Sequence, residues 1–114
     1  PAECITYDEA LTIAKNCLSD YEPRITVEYL SRLHVGSAYY DFWGNPLNTV
    51  THKEHAQVWI IQFGEEHGSG DYMVRCDAYI DAVTGRVVCI DIGIDMTDPD
   101  DWDNFRKIYF SDAY

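Results

Sequence analysis

The residues best suited to chemistry are two histidines, His52 and His55, which stand three positions apart in the segment HKEH. Imidazoles at this spacing could share one face of a helix and bind zinc. The spacing departs from both His-Glu-x-x-His and His-x-x-Glu-His, and no third ligand is indicated in a segment that resembles a loop. We therefore expect two solvated histidines and no metal site.

A run of aspartates late in the sequence has the composition of a calcium loop. Its members are Asp91, Asp95, Asp98, Asp100, Asp101 and Asp103. A calcium loop that began at Asp98 would place Asp103 where the obligatory glycine belongs and Tyr109 where a bidentate glutamate is needed. Helix capping and compensation of the helix dipole explain these acids without an ion. No metal or other cofactor is expected.

The sequence also lacks a recognisable nucleophilic motif. A Gly-x-Ser-x-Gly elbow does not occur, and the Gly-x-Gly in GEEHGSGD does not have the spacing of a phosphate-binding loop. A Cys–His pair stays open, although Cys17 and Cys76 fall at predicted core positions, where a thiol packs or forms half of a disulfide. The pattern favours a protein that is not an enzyme.

An aromatic cluster in the segment YYDFW is the best candidate for a binding surface. Exposed Tyr and Trp side chains bury a large area on association at little entropic cost, although the same residues could instead close one end of the core. If they are exposed, with acids nearby, they suit a basic and partly apolar protein partner. The candidate partner-binding residues are Tyr39, Tyr40, Phe42, Trp43, Asp100 and Asp101.

The charge balance narrows the class of partner. Eight Lys and Arg residues against twenty Asp and Glu residues give a net charge of -12 at pH 7. Such a field repels nucleic acid and anionic membranes and favours encounter with a basic protein surface. No apolar run approaches the roughly 18 residues that span a bilayer, so membrane insertion is not expected.

The sequence contains four cysteines, Cys4, Cys17, Cys76 and Cys89. Their number and spacing are compatible with an exported protein and with a cytosolic one. Their spacing is not that of a zinc knuckle or a redox motif, and three disulfide pairings are possible. An exported protein could form two bridges, whereas in a reducing cytosol the same residues would be small apolar packing groups. The even number favours export.

Elements that would position these residues can be read from periodicity and turn signals. Thr6 and Glu9 form a capping box, and a helical stripe of apolar residues extends from there until Pro23 ends the helix. Segments 24–35 and 57–63 are predicted as strands, and 36–55 as a long excursion or irregular hairpin. Segments 71–81 and 86–95 form a hairpin through AVTGR, with Gly85 in a left-handed position.

In that hairpin, the register that pairs Ala82 with Arg86 predicts one apolar face. Its members are Val74, Cys76, Ala78, Ile80, Val88, Ile90 and Ile92, with Arg75, Asp77, Tyr79, Cys89 and Asp91 on the other face. A short final helix is predicted from Asp98 or Pro99, through Trp102 and Phe105 to Ile108 or Tyr109.

Together these elements predict one α+β domain over residues 1–114, with an N-terminal helix on a four-stranded antiparallel sheet and a short C-terminal helix.

The segments ITYDEALTIAKNCL, QVWIIQF and YMVRCDAYIDAVTGRVVCID resemble a PepSY domain. The helical Ala10 and Ala14, and the final motif from Tyr79 to Val88, carry the resemblance. It implies a cystatin-like, non-enzymatic protein-binding domain, exported or at the cell envelope, of a family in which some members are thought to inhibit or regulate proteases. The chain also resembles bacterial immunity proteins of the nuclear-transport-factor-like fold, which neutralise a toxin in the cytoplasm. A small hydrolase is a third alternative.

Overall fold

The computed structural model describes residues 3–43, 55–66, 72–94 and 105–114. One main helix, one short helix and five strands make an α+β fold. In chain order they are α1 (Tyr7–Tyr21), α2 (Val27–Leu30), β1 (His34–Trp43), β2 (His55–Glu66), β3 (Tyr72–Asp81), β4 (Val87–Ile94) and β5 (Phe105–Phe110). The strands form a single antiparallel sheet in the order β1-β2-β3-β4-β5, so the predicted count of four strands is one too low.

Helix α1 forms where the sequence predicts it. The Thr6 hydroxyl accepts a hydrogen bond from the Glu9 amide at 3.1 Å, and a Glu9 carboxylate oxygen accepts one from the Thr6 amide at 3.3 Å. This capping box satisfies two amides that the helix itself leaves unpaired. Ala10, Ala14 and Leu18 are completely buried against the sheet, because they repeat at the helical period that lines one face.

The main core lies between α1 and the sheet face formed by alternate residues of β2, β3 and β4. A second, smaller cluster lies on the opposite face, where Tyr114 packs with Ala56, Val58, Val88 and Cys89. Both faces of the central strands are thereby covered at this end of the sheet, which accounts for the nearly continuous run of apolar residues in β2 and β4. Among the described residues, no helix is long and apolar enough to cross a membrane.

The β3–β4 hairpin has the predicted register for most of its length. Cys76 lies opposite Ile92 and Ala78 opposite Ile90 on the core face. The register shifts between Tyr79 and Ile80, so that Ile80 lies opposite Val87. A bulge of this kind inserts one extra residue, which reverses the facing of the residues beyond it. The prediction that Val88 shares the core face is therefore wrong, and Val88 belongs to the second cluster.

The segment predicted as a strand over residues 24–35 is a strand only at residues 34–35, where β1 begins, and the residues before α2 form a turn. The Thr26 hydroxyl caps this helix by accepting from the Tyr29 amide at 3.0 Å, and Leu30 is completely buried. The Tyr29 hydroxyl donates to a Glu65 carboxylate oxygen at 2.9 Å and fixes α2 to β2. Local capping and burial of Leu30 outweigh the alternation of Ile25, Val27 and Tyr29 that suggested a strand.

The predicted final helix is also wrong over residues 105–110, which form β5. Its hydrogen-bonding partner is β4, with Tyr109 opposite Ile90 and Lys107 opposite Ile92. The Tyr21 hydroxyl donates to the Ile108 carbonyl at 2.8 Å, so the strand is also fixed to the end of α1. Pairing with the otherwise open edge of β4 satisfies more backbone groups than one isolated helical turn would. Asp98, Pro99 and Trp102 lie outside the described residues.

In the segment predicted as a long excursion or irregular hairpin over residues 36–55, residues 36–43 belong to a strand. Strand β1 runs from His34 to Trp43 and pairs with β2 without a break in register. Residues 44–54, including His52, lie outside the part of the chain that the structure describes. Three small residues, Gly36, Ser37 and Ala38, precede the aromatic residues of β1.

Candidate functional site

Strand β1 is the longest exposed feature among the described residues. Within the described part of the chain it forms one end of the five-stranded sheet and pairs with β2 on one side only. Each residue from His34 to Asp41 is exposed to solvent. We call residues 34–41 the β1 edge. A strand at the end of a sheet presents backbone N–H and C=O groups that have no partner within the sheet.

Tyr39 projects from the β1 edge on the same side of the sheet as α1. It is 44% exposed, yet its hydroxyl donates to the Gln57 side chain at 2.7 Å and contacts the Cys4 sulfur at 3.6 Å. Its ring meets that of Trp59 edge to face, with centroids 5.4 Å apart. The hydrogen bond with Cys4, more than burial, raises the pKa of Tyr39. The ring is therefore held in place while one side stays open to solvent.

Trp59 connects this aromatic group to the N-terminal segment. Its indole N–H donates to the Ile5 carbonyl at 3.1 Å, and its ring contacts that of Tyr7 at 6.0 Å between centroids. The Ile5 amide in turn donates to the Ala82 carbonyl at 2.7 Å. These bonds hold the residues beneath Tyr39 in a fixed arrangement.

Tyr40 projects from the opposite face of the sheet, because successive side chains in a strand alternate. It is 37% exposed, and its ring contacts that of Tyr79 with centroids 6.3 Å apart. Partial burial raises the pKa of Tyr40. Tyr39 and Tyr40 thus form two separate aromatic positions, one on each face, and not one continuous patch.

The remaining candidate residues are placed only in part. Phe42 lies opposite Ala56 and Trp43 opposite His55 in the strand register, which puts both near the end of β1. Asp100 and Asp101 lie outside the described residues. The structure therefore brings Tyr39 and Tyr40 to one exposed strand. The two aspartates that were predicted to accompany them are not among the residues that the structure describes.

The other end of the sheet is built differently. Strand β5 has six residues and carries Arg106 and Lys107. Arg106 forms a two-pronged ion pair with Asp91, at 2.9 and 3.2 Å. Lys107 donates to the Tyr21 carbonyl at 2.8 Å and lies over the Tyr21 ring, 4.5 Å from its centroid. Short length and charged side chains are common protections of an edge strand, whereas β1 has ten residues and one carboxylate, Asp41.

An open groove lies between α1 and the strands β4 and β5. Its volume is about 320 Å³ and its lining residues are Cys17, Asp20, Tyr21, Val87, Ile90 and Tyr109. Sequence reasoning missed the groove because it treated residues 105–110 as a helix. Residues 105–110 do not alternate strictly between apolar and polar types, so the periodicity of the sequence gave no clear signal for a strand.

The thiols are poorly suited to nucleophilic chemistry. Burial raises the pKa of Cys17, Cys76 and Cys89 to about 12 in each case. A thiol must ionise before it attacks, so these three side chains are neutral at ordinary pH. Within the described ranges, no group of three or more His, Cys, Asp or Glu residues could hold a metal ion.

Comparison of the chain with protein-family models, with curated proteins and with solved structures found no match.

Proposed function

We propose that this domain binds another protein through the β1 edge. The observation that carries the proposal is the continuous exposure of this edge strand, from which Tyr39 and Tyr40 project on opposite faces. Tyrosines of this kind provide a large contact area at low entropic cost, particularly when their rings are already held in place. Trp59 and Gln57 hold Tyr39, and Tyr79 contacts Tyr40.

The partner is a protein with a basic contact surface, because the chain carries a net charge of -12. That charge speeds encounter with a positive surface and opposes nucleic acid. The PepSY-like motifs in the sequence support a role in inhibiting or regulating a protease at the cell envelope. In this proposal the domain acts by occupying a surface of its partner and performs no reaction.

A cytoplasmic immunity protein that neutralises a bacterial toxin is the second candidate. The placement of the two buried cysteines supports it. Cys76 and Cys89 belong to opposite faces of the sheet, so this pair cannot bridge without a change of strand facing. Free thiols are typical of proteins in a reducing compartment.

The test is capture of the partner by wild-type protein and by matched variants. Immobilised wild type, Tyr39→Ala, Tyr40→Ala and Tyr109→Ala would be exposed to extract of the source cell, and retained proteins quantified by mass spectrometry. Tyr109 is a suitable control because it is 40% exposed at the opposite end of the sheet. Recovery of a specific basic protein should fall about tenfold or more for Tyr39→Ala or Tyr40→Ala and remain unchanged for Tyr109→Ala.

Equal recovery by all four proteins, each with an unchanged melting temperature, would remove the β1 edge from the proposed interface. The identity of the recovered protein separates the two candidates, because a protease supports the first and a toxin the second.

A further inference from the structure

We propose that the partner binds as an added strand: an extended, positively charged segment pairs with the β1 edge and becomes the sixth strand of the sheet. This inference rests on the proposed function and specifies how the partner is recognised. Strand addition supplies affinity through backbone hydrogen bonds and specificity through alternate side chains.

The first argument is the contrast between the two ends of the sheet. Between His34 and Trp43 there is no Pro, Lys or Arg, and Asp41 is the one carboxylate. Strand β5, by comparison, carries both Arg106 and Lys107 in six residues. A long edge strand with few protecting features is a template for pairing with another chain. Among the described residues, the fold therefore protects the β5 edge and leaves the β1 edge able to pair.

The second argument is the space along one face of β1. Gly36 and Ala38 share the face from which Tyr40 projects, because they alternate with it along the strand. A methyl group built on Gly36 would come no closer than 3.8 Å to another atom, the Gln62 side-chain oxygen. Small residues at these positions leave room for large side chains of an incoming strand, which would contact Tyr40 as a cross-strand neighbour.

The opposite face of β1 suits an apolar residue as well. Val35 lies opposite the buried Phe63 and Tyr39 opposite Trp59, and both are exposed on their outer side. Ser37 separates them. An incoming strand thus meets apolar side chains of β1 on both faces of the sheet. The residues of the incoming segment that lie beside these side chains are expected to be apolar.

The net charge of the chain indicates what kind of segment binds to the β1 edge. A second copy of this chain would bring another net charge of -12 to the interface, so self-pairing is opposed by repulsion. A segment rich in Lys and Arg is attracted by the same field. The occupant is therefore an extended segment of another protein, apolar where it meets Tyr39 and Tyr40 and basic elsewhere.

The experiment uses a display library of random ten-residue peptides selected on the folded domain. Enriched peptides should be basic and without Pro in the paired part. The tightest peptide would be synthesised unmodified and in two methylated forms, each carrying N-methyl groups on one of the two alternate sets of backbone nitrogens, with the side chains kept. The form methylated on the set that faces β1 should bind about tenfold or more weakly, and the form methylated on the outward set should bind better than the first. Amide NMR shifts and slowed hydrogen exchange should concentrate in residues 34–43.

A matched pair of variants gives a second readout. Ser37→Lys introduces on β1 the kind of charge that protects β5, and Asn16→Lys adds the same charge on the exposed side of α1. Ser37→Lys should weaken the peptide about tenfold while the melting temperature stays the same, and Asn16→Lys should leave binding within about twofold.

The outcomes distinguish this inference from the function on which it rests. Methylated and unmodified peptides that bind equally well at β1 would overturn strand addition and leave protein binding at Tyr39 and Tyr40 intact. A library that yields no peptide for the β1 edge would likewise overturn strand addition. Peptides that bind elsewhere, together with unchanged partner capture by Tyr39→Ala and Tyr40→Ala, would overturn both proposals.

Discussion

Asp77 and Asp91 lie directly opposite each other across β3 and β4, on the sheet face turned away from α1. Asp91 is partly exposed and paired with Arg106. Asp77 is only 5% exposed, its Oδ2 lies 3.3 Å from the Arg75 Nε, and its buried Oδ1 accepts no hydrogen bond from the described residues. Burial, with a smaller contribution from the charge of Asp91, raises the pKa of Asp77.

Replacing Asp77 by Asn should stabilise the domain at neutral pH by about 1 kcal/mol. A carboxyl group whose pKa is higher in the folded state contributes stability at low pH, and loses it as the pH rises through the folded pKa. The advantage of Asp77→Asn should therefore be largest at neutral pH and shrink as the pH approaches the ordinary value of 3.8. Urea unfolding of both proteins between pH 4 and pH 7 measures the difference.

Asp91→Asn is the matched control. It removes the same charge from the facing position, but it also breaks the ion pair with Arg106. We expect a small loss of stability at pH 7, opposite in sign to the effect at Asp77, because an exposed pair contributes little. Destabilisation by Asp77→Asn at every pH would contradict the argument that burial disfavours the charged carboxylate of Asp77.

Glu22 should stabilise the domain down to strongly acidic pH. It accepts hydrogen bonds from the Arg24 Nη2 and Nε at 3.0 and 3.1 Å, and lies 3.6 Å from the Lys107 Nζ. The hydrogen bonds with Arg24, helped by the charges of Arg24 and Lys107, lower the pKa of Glu22 from 4.5 to about 2 in spite of burial.

We expect Glu22→Gln to cost about 1 kcal/mol at pH 7. Because the folded pKa is depressed, this contribution is complete above about pH 4.5 and is lost as the pH falls towards about 2. Denaturant unfolding at pH 7, 4 and 2.5 should show the two proteins converging only in the most acidic sample. A difference that had already vanished at pH 4 would contradict the lowered pKa of Glu22.

Gly85 and Gly93 should respond in opposite ways to the same substitution. Gly85 has a φ of +74°, and a methyl group there would meet the Ile13 side chain at 3.3 Å. Gly93 has open space around its Cα. Gly85→Ala should cost about 1–2 kcal/mol through the left-handed backbone, whereas Gly93→Ala should leave stability unchanged or increase it by up to about 1 kcal/mol. Thermal melts of the two variants test this, and equal effects would contradict it.

Signals carried by neighbouring residues predicted the structure well. Thr6 and Glu9 stand three positions apart and fix the start of α1, and Gly85 alone can take the left-handed position in its turn. Both the capping box and the turn depend only on residues that are close together in the sequence. The antiparallel hairpin that Gly85 closes was predicted from the same local chemistry, and with it the docking of α1 on the sheet.

Features that depend on distant partners were missed. Residues 105–110 have a spacing that suits either a short helix or a strand, and the choice depends on the open edge of β4, which no local pattern reveals. The facing of Val88 depends on one bulge. The exposure of Tyr39 and Tyr40 results from the place of β1 at the end of the sheet, so the sequence predicted their residue types and not their arrangement on opposite faces.

The cysteines give the last prediction. Cys4 is exposed to solvent, Cys17 is half-buried, and Cys76 and Cys89 are buried. Burial raises the pKa of the last three to about 12, so their thiols remain protonated and unreactive in the folded protein. With an aromatic disulfide reagent at pH 7.5, one thiol should react rapidly, and the remaining three should react only when denaturant unfolds the chain. Cys4→Ser should abolish the rapid phase and leave the slow one unchanged. Fewer than four thiols in denatured protein isolated from its source cell would show that bridges form, which would favour the exported protein over the cytoplasmic one.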